Sequence, residues 1–283
     1  MASLTFCTLS FLKDLHSWLV PTSNLPKHNI PLPRVSHQTL EAKIIQDRPI
    51  LIVGDIHGCY EEFKKLVLKT QEKIKHEDFI IICVGDMLNK GPNSLETLKY
   101  LQNLDTQGRF FAVRGNHEEA ILREHKYKTE NRDYVFPDRF SYLNSFSGED
   151  FEFIVQLPYT LSIPKINSLI VHAGLVYGVS LEDQKYEDMT TIRNIVSTNS
   201  LFSGSKIFGS SNINHGVPWA SAWNGPQHIY FGHDARRGLQ KYTLATGLDT
   251  GCVYGKHLTG IVIDSSSSQE CTFLSVDSNT SVL

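Results

Sequence analysis

ILIVGDIHG, residues 50–58, decides how the rest of the chain is read. Four apolar, mostly β-branched residues stop at a glycine, and Asp55 and His57 follow two apart. A run of that length and composition reads as a buried strand. The pattern then recurs four times. Residues 79–84 end in Gly85-Asp86, 110–113 in Arg114-Gly115-Asn116-His117-Glu118, 169–171 in His172-Ala173-Gly174, and 229–231 in Gly232-His233. Helical patterns separate the first three runs, with Phe63, Leu66, Val67 and Thr70 on one face, and Leu95, Leu98 and Leu101 on another. The order β-α-β-α-β predicts an α/β fold, and in such sheets the residues just past the strand carboxyl ends converge on one crevice.

Asp55, His57, Asp86, Asn116, His172 and His233 offer oxygen and nitrogen donors without a thiolate. That set suits Mn, Fe, Zn or Co better than a structural zinc. Two ions about 3.5–4 Å apart need a shared carboxylate and ligands on either side. Asp86, central in the order, is the natural bridge. Asp55 and His57 can chelate the first ion, while Asn116, His172 and His233 complete the second. A hydroxide shared by both ions would attack phosphorus in line. His117, next to Asn116, cannot easily reach the same ion and is better placed as the general acid. Any one of these motifs alone reads as a turn with a capping side chain; five at consecutive strand ends do not.

A net charge of −3 and a pI near 6.5 argue against a broad nucleic-acid-binding surface. Phosphorylated substrates stay open, since metal ions supply positive charge locally. Cys7, Cys59, Cys83, Cys252 and Cys271 form no CxxC pair and suit a reducing compartment. Near the N-terminus, Leu9, Leu12, Leu15 and Leu19 recur at helical spacing, with Lys13, Asp14 and His16 interrupting any membrane-length run. An amphipathic helix docking on the domain or a partner is expected, with a targeting segment as the alternative, and with no membrane span and a cytoplasmic location. Pro21, Pro26, Pro31 and Pro33 read as an extended connection. The expected layout is an N-terminal extension over 1–47, a catalytic domain over 48–276 and a disordered tail over 277–283. Ser265–Ser268 reads as a turn between two terminal strands, and 201–216 as a mobile loop beside the cleft.

Arg114, Arg236 and Arg237 are candidate phosphate clamps. Arg114, beside a buried strand, reads better as a structural partner, and Arg237 is taken as the substrate contact. Asp249 reads as an acceptor behind a ligand histidine or as a turn carboxylate. Trp219 and Trp223 read as core residues, with nucleobase stacking as the alternative. Cys59 and Cys252 read as small buried side chains, and His215, His228 and His257 are assigned no metal.

GDIHG (54–58), GDMLNKGP (85–92), RGNHE (114–118), HAGL (172–175) and GH (232–233) together resemble the calcineurin-like metallophosphoesterases of the phosphoprotein-phosphatase type, over roughly residues 50–264. The resemblance implies a β-sandwich flanked by helices, with a dinuclear site at the strand carboxyl ends. It implies two divalent transition-metal ions, one on Asp55, His57 and Asp86, the other on Asp86, Asn116, His172 and His233. His117 would be the acid, with Asp86 and His117 as the catalytic pair and Lys90 and Asn116 touching substrate. Eukaryotic serine/threonine phosphatases of this type read GDYVDRG and HGGL; here Asn89, Lys90 and Ala173 stand in place of Asp, Arg and Gly. GLDTGCVYG (247–255) is similar to the LDTGCVWGG of bacterial diadenosine tetraphosphatases, so the set resembles the ApaH-like phosphatases. The expected activity is hydrolysis of phosphoanhydrides: a dinucleoside polyphosphate, nucleotide cap or polyphosphate. A phosphoprotein (Ser/Thr or Tyr) phosphatase is the alternative. An inactive binding scaffold is a third reading, against which the complete ligand set argues.

Overall fold

The computed structural model describes residues 26–200, 204–264 and 271–279. The expected N-terminal helix and the turn at 265–268 lie outside the described residues. In chain order the elements are β1 (His37–Thr39), α1 (Ala42–Ile45), β2 (Ile50–Val53), α2 (Tyr60–Ile74), β3 (Ile80–Cys83), α3 (Ser94–Thr106), β4 (Phe110–Ala112), α4 (Asn116–Glu130), α5 (Gly148–Val155), β5 (Thr160–Ile163), β6 (Ser168–Val171), α6 (Tyr186–Thr191), β7 (Asn194–Ser200), β8 (Gly204–Ser210), β9 (Val217–Pro218), α7 (Trp219–Ala222), β10 (His228–Phe231), β11 (Gln240–Lys241), β12 (Ala245–Gly247), β13 (His257–Ile263) and β14 (Cys271–Asp277).

Two sheets form the sandwich. One has the order β14-β13-β2-β3-β4, with β2, β3 and β4 parallel as the crossover helices α2 and α3 require. The other runs β1-β5-β6-β10-β12-β11, with β6, β10 and β12 parallel. Period-two alternation assigns the layers. Ile50 and Ile52 of β2 and Ile80 and Ile82 of β3 join Leu161, Ile163, Ile170 and Tyr230 in the core between the sheets. Leu51, Val53, Ile81 and Cys83 face the opposite way, against Phe63, Leu66, Leu98 and Leu101 of α2 and α3. The far face of the second sheet is covered by Met189, Ile192 and Trp219. Because every residue of β2 and β3 is buried, both strands read as unbroken apolar runs rather than alternating ones.

Two expectations change. Residues 26–47 are not merely a connection: β1 pairs in parallel with β5 at the edge of the second sheet, and Ile30, Leu40 and Ile45 are buried in its cores. Prolines kept the segment extended, and that same extension lets it add a strand. The stretch 201–216, expected as a mobile loop, carries β8, which pairs antiparallel with β7 over its whole length in a small third sheet, β8-β7-β9. Backbone pairing there depends little on the Ser- and Gly-rich side chains. No helix among the described residues is long and apolar enough to cross a membrane.

Candidate functional site

The carboxyl ends of β2, β3, β4, β6 and β10 bring all six expected donors to one buried place. Asp55 lies past β2, and both its oxygens are 3.1 Å from the His233 backbone N–H beyond β10. Two strand-end loops from different sheets are thereby joined. His57 Nδ1 is 3.3 Å from the Leu88 carbonyl, which fixes the proton there and leaves Nε2 toward the site. That Nε2 lies 3.6 Å from Asp86 Oδ2 and 3.9 Å from Asp55 Oδ2. The other oxygen of Asp86 is 3.4 Å from His172 Nε2. Asp86 thus presents one oxygen to each histidine group, as a shared carboxylate must.

His172 Nδ1 sits 2.9 Å from the Val84 carbonyl, and His233 Nε2 sits 3.0 Å from the Thr191 carbonyl. Each carbonyl accepts the ring proton, so the opposite nitrogen faces inward. Those two inward nitrogens lie 3.1 and 3.0 Å from Asn116 Oδ1. Asp86, His172 and His233 have donor atoms within 4.8 Å of one another. Rings already turned by backbone acceptors are oriented as candidate metal ligands need to be.

The electrostatics fit a divalent cation pair. Burial, Asp249 and Asp86 push the Asp55 carboxyl well above its ordinary pKa. Burial resists ionisation of Asp86 too, but His172, by charge and by hydrogen bond, outweighs it and holds that carboxyl low. Burial lowers His57 to about 3, so its ring is neutral and free to ligate. Asp86 pulls the His172 ring the other way, toward its protonated form, against the cost of burial. Crowded buried carboxylates are costly without a counter-charge, and a metal pair would supply one.

The backbone is bent hard to assemble this site. His57, Asp86, Asn89, Lys90 and His233 all have positive φ, between 48° and 72°. Asn, Asp and His are the non-glycine residues that tolerate this region best. At two positions glycine is required by close approach. A Cβ on Gly232 would meet Asp55 Oδ1 at 2.0 Å, and one on Gly115 would meet Asp86 Oδ1 at 2.2 Å.

His117 also reaches the centre, with a ring nitrogen within 4.8 Å of the His57 and Asp86 donor atoms. Its backbone N–H donates to Asp86 Oδ1 at 2.8 Å. Asn89 controls the ring. Asn89 Oδ1 accepts the Lys90 N–H at 2.9 Å, which turns the amide nitrogen toward His117 Nδ1, also at 2.9 Å. The amide therefore donates to Nδ1, and a neutral ring carries its proton on Nε2. That nitrogen is then a donor, not a ligand. Burial lowers the His117 pKa, which favours the same neutral form.

Glu118, which the sequence reading passed over, is fully buried and anchors the β3 loop. Its carboxylate accepts the N–H groups of Asp86, Met87, Leu88 and Gly115, at 2.8 to 3.3 Å. Its place directly after Asn116-His117 was the available signal. Arg114 is also fully buried, donating to the Pro31 and Val155 carbonyls and to the Tyr159 hydroxyl, in keeping with the structural reading. Trp219 is core, edge-on to Phe231. Asp249 lines the cleft and accepts the Gly251 N–H, so it is a turn carboxylate placed beside the site.

The arginine assignment needs correction. Arg237 is committed to Asp234 and to Asn194 Oδ1 and does not line the cleft. Arg193 and Arg236 line it instead, with Lys90, Tyr254 and Lys256. Arg237 lies at i+3 from Asp234, so a local ion pair turns its guanidinium away from the cleft.

A model of the calcineurin-like phosphoesterase family matches residues 48–245. An asymmetrical bis(5′-nucleosyl)-tetraphosphatase of Halalkalibacterium halodurans is 27% identical over 228 residues, covering 74% of this chain and 88% of that protein. Serine/threonine-protein phosphatase 1 of Salmonella typhimurium is 28% identical over 234 residues, covering 80% and 96%. Among solved structures, a candidate diadenosine tetraphosphatase superposes with a TM-score of 0.70 at 31% identity, covering 86% of this chain and 98% of that one.

Proposed function

The chain belongs to the calcineurin-like phosphoesterases, and from that premise we propose that it hydrolyses phosphoanhydrides: dinucleoside polyphosphates, nucleotide caps or inorganic polyphosphate. Members of this family use a dinuclear divalent-metal site. Here Asp55, His57 and Asp86 would hold one ion, and Asp86, Asn116, His172 and His233 the other. Oxygen and nitrogen donors without thiolate suit Mn, Fe, Zn or Co. When bound, such a pair supplies Lewis acidity and activates water at neutral pH.

The residues of this chain do the rest. Lys90 and Asn116, both on the cleft wall, orient the phosphoryl group. His117 offers its Nε2–H to the leaving oxygen. The single observation that favours an anhydride over a phosphoester is the Asn89–His117 hydrogen bond. With an amide donating to Nδ1, an imidazolium would face donor to donor, so the ring works as a neutral hydrogen-bond donor. A departing nucleoside phosphate is a weak base and needs only that. A serine alkoxide is strongly basic and needs a whole proton. The likeness to tetraphosphatases supports the same reading.

A phosphoprotein phosphatase is the second reading, supported by the likeness to serine/threonine-protein phosphatase 1. The test is a panel of diadenosine tetraphosphate, capped RNA, polyphosphate and phosphopeptides, each with Mn, Zn, Mg and Co. Anhydride turnover well above phosphopeptide turnover supports the proposal. The reverse order overturns it.

A further inference from the structure

The cleft, about 460 Å³, carries more positive charge than one phosphoryl group can use. Two divalent ions set against Asp55, Asp86 and the cleft-lining Asp249 leave no more charge than one phosphoryl group would neutralise. Lys90, Arg193, Arg236 and Lys256 come in addition. Arg193 is committed, its guanidinium donating to the Ser211 and His233 carbonyls. Arg236 is different: it is exposed on the wall and makes no hydrogen bond or ion pair with any described residue.

Lys256 stands at the end of the turn that also carries Tyr254, and the two glycines at 251 and 255, with φ of 73° and 76°, fold that turn toward the cleft. Its ammonium makes one long hydrogen bond, 3.5 Å to the Ala235 carbonyl, beside Arg236. Lys256 and Arg236 thus line the cleft from two loops that touch at Ala235. Tyr254, on the same wall, reaches toward the centre, its hydroxyl 3.0 Å from Lys90 Nζ, which is itself 3.1 Å from His57 Nε2. Lys90 and Tyr254 thus lead outward from the expected metal ligands, and Lys256 and Arg236 line the same cleft. Unpaired cations held at a cleft wall attract multiply charged anions, and guanidinium and ammonium groups both suit phosphate.

We propose that Arg236, Lys256 and the Tyr254 hydroxyl form a second phosphate site, which holds the phosphate next in line from the one attacked. The site selects substrates with a run of linked phosphates over those with a single phosphoryl group. This inference rests on the anhydride reading and deepens it.

The test uses the double variant Arg236→Gln with Lys256→Gln, loaded with manganese, beside each single variant. Values of kcat/KM are measured on diadenosine tetraphosphate and on p-nitrophenyl phosphate. Loss of two charge-assisted contacts should lower the first by about tenfold to a hundredfold more than the second. Calorimetry gives a readout apart from turnover. In excess manganese, methylenediphosphonate should lose at least about tenfold more affinity than methylphosphonate in the double variant. Parallel losses on both substrates and both phosphonates overturn the second site. If the wild-type protein cleaves phosphopeptides and leaves the tetraphosphate intact, the anhydride reading has failed, and the phosphonate comparison still decides the site. Unfolding temperature checks that each variant folds, and the single variants decide the matter should the double variant not.

Discussion

Replacing Asn89 by aspartate reverses the direction of one hydrogen bond and should change which leaving groups the enzyme tolerates. The backbone is ready for it, since Asn89 sits at φ 72° and aspartate accepts that conformation nearly as well. The bond from the Lys90 N–H to the side-chain oxygen survives the change. What differs is the contact 2.9 Å from His117 Nδ1, where a donating amide becomes an accepting carboxylate. An opposite charge at that range favours the protonated ring by about 1–3 pKa units, roughly 1.4–4 kcal/mol. Asn89 is buried, so part of that gain is offset by desolvating the new carboxylate. A positioned acid is worth about 10²–10⁴ in rate. With the offset, phosphoserine-peptide turnover should rise about tenfold to a hundredfold relative to tetraphosphate turnover. The assay is kcat/KM across aryl phosphates of graded leaving-group pKa, with metal content and circular dichroism as controls. The dependence on leaving-group pKa should be shallower in the variant. The same slope and the same substrate ratio in a folded, metal-loaded variant would falsify the account of Asn89.

Three further outcomes follow from the site. Asp86→Asn removes the carboxylate that faces both histidine groups, so metal content measured by plasma emission should drop below two ions per chain and turnover by several orders of magnitude; activity within about tenfold of wild type, under 1.4 kcal/mol of barrier, would show that another group bridges. His117→Gln should retain its metals and lose about 10²–10⁴ in kcat, with the smallest loss on p-nitrophenyl phosphate; equal losses across leaving groups, or lost metal, point to a ligand or positioning role. Arg114→Ala deletes three hydrogen bonds of a buried guanidinium and should cost at least about 3 kcal/mol, seen as a fall of about 6–12 °C in Tm. An unchanged Tm would show that the buried guanidinium is not structural.

The strand-end motifs were legible because each ligand is tied to a local pattern: an apolar run, a sharp turn and a side chain able to hold metal. The run 50–53 announces β2 and its turn announces Asp55 and His57, with no knowledge of distant partners. What stayed hidden depends on distance in sequence. β1 exists because it pairs with β5, more than a hundred residues on, and three residues rich in polar side chains carry no periodicity of their own. The pairing of β8 with β7 was masked in the same way, by Ser and Gly in a strand held through its backbone. Arg237 and Arg236 could not be told apart from composition, because only the folded turn shows which of them meets Asp234. The direction of the Asn89 amide likewise follows from the Lys90 N–H, a contact set by a turn rather than by residue type.

The left-handed residues at the centre narrow what evolution or an engineer can try there. His57, Asp86 and His233 answer at once to the metal-holding role proposed for them and to the backbone they must adopt. A swap that keeps the chemistry, such as Asp86→Glu, still meets a penalty of about 1–3 kcal/mol from the main chain. Glycine relieves the main chain and removes the donor. Few residue types satisfy both demands, and they are the ones already present. Searches for a hardier or re-targeted enzyme should therefore leave the strand ends alone. Variation is better spent at 235, 236 and 256, where the wall of the cleft can be rewritten without disturbing the frame that holds the chemistry.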